Sequence, residues 1–78
     1  MTELEDRLVG CFSLAFPTLT DEEIRGANVE RLSDADSLAA VTLVSLIEQE
    51  FGVEMDLEDL LRLRTLDAIL GHLFPRSN

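Results

Sequence analysis

No lysine occurs among the 78 residues, and the six basic side chains, all arginines, stand against 16 acidic ones, for a formal charge of −10. A surface of that sign repels phosphate backbones and anionic lipid, which disfavours nucleic-acid and membrane-surface roles and points to partners with basic patches. Cys11 is the single cysteine, so an internal disulfide is excluded and a zinc pattern cannot be completed. Its expected place is as a small buried hydrophobe on the first helix. His72 is the single histidine, which leaves no second one for a catalytic or metal pair. Near the end of the last helix it complements the helix dipole. No apolar run approaches bilayer-spanning length, and Met1-Thr2-Glu3-Leu4-Glu5-Asp6 is acidic where a signal peptide is basic, so a cytoplasmic location is expected. No acid–base pair, nucleophile triad, glycine-rich phosphate loop or metal-ligand cluster is visible, and no enzyme activity is expected.

What is present is a large apolar fraction, 46%, too high for a disordered acidic tail. The length suits one domain over 1–78, near the lower limit for a core without staples. The periodicity predicts an all-α fold. A first helix starts near Thr2, with Thr2 as N-cap and Glu5 completing a capping box, carries the stripe Leu4, Leu8, Cys11, Phe12 and Ala15, and is stopped by Pro17. From Thr18 to Asp36 a long loop is expected, pinned by Leu19, Ile24, Val29 and Leu32, with a short helical turn around Asp21 to Arg25.

A second helix is predicted from Ser37 to Phe51 and ends at Gly52, the expected left-handed stop. Stepping 100° per residue puts Ala40, Leu43, Val44, Ile47 and Phe51 on the core face and Leu38, Val41, Thr42, Ser45 and Gln49 opposite. A short helix from Asp56 or Leu57 to Arg62 and a last helix from Thr65 to Phe74, capped by Thr65 and ended by Pro75, complete the chain. Leu66, Ile69, Leu70 and Leu73 face inward on the last helix. Arg62 and Arg64 are expected to pair locally with Glu58, Asp59 or Asp67.

Asp36-Ser37-Leu38 stands at the head of the second helix, where unpaired N–H groups and the positive dipole end favour phosphate. Ser37 alone reads first as a cap. Capping does not account for Leu38 and Val41 on the solvent side, where a passive amphipathic helix is polar. The run Asp34 to Glu54, with its Asp-Ser-Leu and its closing Glu50-Phe51-Gly52, resembles the acyl carrier protein family, loosely over nearly the whole chain. The resemblance implies a small four-helix bundle, three longer helices plus one short one after a long first loop. It also implies that Ser37 takes a 4′-phosphopantetheine arm whose thiol holds acyl groups as thioesters. Asp36 then contacts the modifying enzyme, and Leu38, Val41, Thr42, Ser45 and Glu48 form the docking face. The implied partners are a phosphopantetheinyl transferase and acyl-loading, condensing or transferring enzymes, with the carrier itself a monomer.

Asp34 and Asp36 are spaced like the opening of a calcium loop, but Leu38, Ala39 and Ser45 fall where such a loop needs a ligand, glycine and glutamate, so no metal is expected. Carriers of primary fatty-acid synthesis usually have glutamate where Thr42 stands and an acid soon after the serine, where this chain has Ala39 and Ala40. A specialised polyketide, nonribosomal-type or lipid pathway is therefore expected. The alternatives are housekeeping fatty-acid synthesis and a small helical interaction module without a prosthetic group.

Overall fold

The chain is described by a computed structural model over residues 3–74. Six helices follow in order: α1 Glu3–Ala15, α2 Asp21–Arg25, α3 Val29–Ala35, α4 Ser37–Phe51, α5 Leu57–Leu63 and α6 Leu66–Leu73. No strand occurs among the described residues. The expected caps at Thr2 and Pro75 lie outside them.

α1 and α4 form the central pair. They run antiparallel, because Arg7 Nε donates to Glu50 Oε2 at 2.7 Å while, one turn on, Cys11 reaches the carbonyl of Leu46. Between them and the shorter helices lie Leu8, Phe12, Ile24, Val29, Leu43, Ile47, Leu60 and Ile69, all essentially without solvent exposure. Each such side chain contributes roughly 1.5–3 kcal/mol by leaving water. Cys11 is buried, as its place on the α1 stripe predicts.

Two expectations need correction. The long first loop is largely helical, because α3 follows α2 within it. Asn28 caps α3 by accepting N–H bonds from Glu30 at 2.9 Å and Arg31 at 3.3 Å, and Val29 and Ser33 turn into the core with Leu32 half-buried. The expected turn around Asp21 to Arg25 is α2, and α3 is the helix added to those expected. Leu19, Ile24, Val29 and Leu32 do anchor this stretch, as expected.

Phe51 is half-buried rather than a core residue. Its ring meets Phe74 edge-on at 5.4 Å, and the Arg7 guanidinium sits 5.0 Å from its centroid. The other core-face residues of α4, Ala40, Leu43, Val44 and Ile47, are buried.

α1 and α2 are tied by Arg25, which donates to Glu5 and, at 3.2 Å, to Asp6. Arg62 pairs with Asp59 at 3.0 Å, the local partner expected for it. Arg64 has no ion pair among the described residues. Its backbone instead forms the turn between α5 and α6 at φ 71°, ψ −38°.

Candidate functional site

One residue separates α3 from α4. Asp36 donates its N–H to the carbonyl of Leu32 at 2.9 Å, closing α3, and its carboxylate accepts the N–H of Ala39 at 3.0 Å, opening α4. Its extended backbone, φ −153° and ψ 87°, turns the chain between the two axes. The capping role is therefore filled by Asp36 rather than by Ser37, and an N-cap of this kind is worth about 1 kcal/mol.

Ser37 is the first residue of α4 and is exposed. Its hydroxyl makes no hydrogen bond among the described residues. The first N–H groups of a helix have no partner inside it, so the hydroxyl stands at the positive end of a 15-residue helix. These features fit a covalently held phosphate: an accessible nucleophilic oxygen, free amides beside it, and a carboxylate already engaged in shaping the turn.

Leu38 is 77% exposed and Val41 49%, large values for apolar side chains on a helix whose opposite face is core. Thr42 and Ser45 are exposed on the same side, and the Thr42 hydroxyl donates to the carbonyl of Leu38 at 3.1 Å. Glu48 follows Ser45 by about one turn on the same side of α4. It is half-buried, lies roughly 16 Å along the axis from Ser37 at 1.5 Å per residue, and accepts the N–H of Met55 at 3.2 Å. Asp36, Ser37, Leu38, Val41, Thr42 and Ser45 are thus contiguous, and Glu48 continues the row while also bonding the connection to α5.

Leu14 was not anticipated from the sequence. It is 72% exposed and borders an open groove between α1 and α4 with Gly10, Cys11 and Leu46. Its position off the α1 stripe was the available signal. Burial, followed by the nearby Glu50 charge, pushes the Cys11 thiol pKa up, with Arg7 opposing. Among the described residues no group of three histidine, cysteine, aspartate or glutamate side chains could hold a metal ion. Among the described residues no helix is long and apolar enough to cross a membrane.

Residues 6–73 match the family model described as phosphopantetheine attachment site. The chain belongs to that family. No curated protein and no solved structure matches it to a significant degree. Membership makes 4′-phosphopantetheine the expected prosthetic group of this carrier domain, and the all-helical architecture is that of an acyl-carrier-like bundle. Carrier domains of the family interact with phosphopantetheinyl transferases and acyl-handling enzymes.

Proposed function

We propose that this chain is an acyl carrier protein that bears 4′-phosphopantetheine on Ser37 and serves a specialised biosynthetic pathway rather than housekeeping fatty-acid synthesis. The observation that carries the attachment reading is the uncommitted, exposed hydroxyl of Ser37 at the head of α4, with capping already supplied by Asp36. When bound, the group supplies a thiol on a long arm that holds acyl units as thioesters. The protein's own residues catalyse nothing. They hold the attachment oxygen at a fixed point, offer free helix amides to the phosphate, and present Leu38, Val41, Thr42 and Ser45 to the enzymes that load and unload the arm. Tethering raises the effective concentration of cargo at each partner.

The pathway reading is supported by the absence of an acidic residue in the first turn of α4, since enzymes that dock through cations find no counter-charge there. A monomer in the cytoplasm, with basic partner surfaces facing its remaining acids, completes the picture.

Coexpression with a phosphopantetheinyl transferase followed by intact-protein mass spectrometry tests the attachment. One phosphopantetheine mass should appear on the wild-type chain and none on Ser37→Ala, with helicity unchanged. An adduct on Ser13, Ser33, Ser45 or Ser77, or none at all, would overturn the reading.

A further inference from the structure

Among the described residues Arg7, Arg25 and Arg62 each bond a carboxylate, whereas Arg31 and Arg64 bond none. Both are exposed, and each has an acid three residues further on, Asp34 and Asp67, with which it forms no pair. The fold brings these two arginines to one place. Val29 donates its N–H to the Arg64 carbonyl at 2.7 Å, and Arg31 follows Val29 by two residues, so both side chains leave the backbone close to the α5–α6 turn. Arg64 stands there at a cost. Its φ of 71° is one that glycine adopts freely, and the other positive φ, 65°, belongs to Gly52. A side chain kept where glycine would relieve the backbone points to a use for that side chain.

Guanidinium forks without a partner take planar anions, carboxylate or phosphate, through paired N–H bonds. The net charge of −10 repels an acidic protein surface arriving from solution. A tethered anion is held there regardless, because a short tether supplies an effective concentration on the order of millimolar. Ser37 lies eight residues beyond Val29, roughly 12 Å away at 1.5 Å per residue. A phosphate on the Ser37 oxygen stays at that distance, whereas the far end of the extended arm, roughly 20 Å out at ordinary bond lengths, reaches the two arginines. Resting on the attachment reading above, we propose that Arg31 and Arg64 form a binding site for the carboxylate of a cargo acyl group that ends in one. The site offsets the repulsion that an anionic cargo meets on so acidic a carrier, and it lays the loaded arm along α3.

Loading Ser37 with adipyl- or hexanoyl-phosphopantetheine from the matching coenzyme A thioester tests this, since the two chains are equally long and end on a carboxylate or a methyl group. The readout is the Nε–H resonance of each arginine by NMR. With adipyl the Arg31 and Arg64 signals should shift while those of Arg7, Arg25 and Arg62 stay, and with hexanoyl neither Arg31 nor Arg64 should move. Added salt should reverse the adipyl shift by screening. Arg31→Gln and Arg64→Gln should each remove most of the shift at the other arginine. Arg31 is exposed on α3, so its variant should melt with the wild type and keeps the test valid if Arg64→Gln disturbs the turn. Equal shifts from the two cargoes, no shift with adipyl, or movement of the three paired arginines as large as that of Arg31 and Arg64 would overturn the proposal. In each case Ser37 is loaded and the attachment reading stands. Failure of the wild type to load would remove both.

Discussion

Val29 donates its backbone N–H to the carbonyl oxygen of Arg64 across 2.7 Å, so the first turn of α3 is held by the turn between α5 and α6. That turn is itself tight. Thr65 donates its N–H to the carbonyl of Leu63 at 2.8 Å, with Arg64 between them at φ 71° and ψ −38°. A three-residue turn with a positive φ at its centre is the strained kind for any residue with a Cβ.

Arg64→Gly should therefore stabilise the fold. Relief of about 1–3 kcal/mol of backbone strain exceeds the roughly 0.5–1 kcal/mol that glycine costs in the unfolded chain. Arg64→Ala should change little. A urea titration in which glycine lowers the midpoint below that of alanine would rule out strain at this turn.

The two faces of α4 should respond differently to truncation. Ile47 is completely buried, and Ile47→Ala should cost about 2–5 kcal/mol, a large share of the stability of so small a domain. Phe51→Ala should cost less than that, because its ring is half in solvent, and Val41→Ala should stay within about 0.5 kcal/mol. Denaturant midpoints for the three variants check the order.

Cys11 gives the fold a pH dependence on the alkaline side. Burial raises its pKa above the ordinary 9.0, so the folded chain keeps the thiol proton where the unfolded chain has released it. The associated stability is fully present below the unfolded pKa and is lost as pH rises through and above about 9. Cys11→Ala should flatten that fall while lowering stability at neutral pH. Equal slopes for the two proteins between neutral and strongly alkaline pH would show that another group is responsible.

Self-repulsion follows from a charge of −10 on 78 residues. Added salt should raise the melting temperature by screening it, and divalent cations should do so without a stoichiometric end point. A saturable response with one tight calcium site, measured by calorimetry, would reveal a ligand cluster not accounted for here.

The pathway reading yields a further outcome. The holo-protein should be a poor substrate for the malonyl transferase of a fatty-acid synthase, and Thr42→Glu should improve it through faster, salt-sensitive association. Equal loading of both proteins, at the level of a fatty-acid carrier, would favour ordinary fatty-acid synthesis.

Helices α1, α4, α5 and α6 were legible because apolar spacing and caps agree. Gly52 stops α4 at φ 65°, and Thr65 caps α6 by accepting the Ala68 N–H at 3.2 Å. Helix α3 was not. Asn28 and Ser33-Asp34 read as turn formers in isolation, whereas in the fold Asn28 caps α3 and Val29 and Ser33 are buried along it. The choice between Asp36 and Ser37 as the cap was equally beyond the sequence, since both residue types cap well and the backbone angles at Asp36 decide it. The bond of Glu48 to Met55 was not legible either, because it spans a loop whose path local spacing does not specify.

The single-residue junction at Asp36 has a mechanical consequence. Both helices that meet there are packed on the core, and their shared residue is bonded on either side of the bend. Ser37 is accordingly an anchored pivot at the head of α4, its backbone tied to both helices. On the attachment proposed above, the arm would start from an anchored point, and its reach would be set chiefly by its own length. Inserting one glycine between Asp36 and Ser37 would turn that pivot into a hinge.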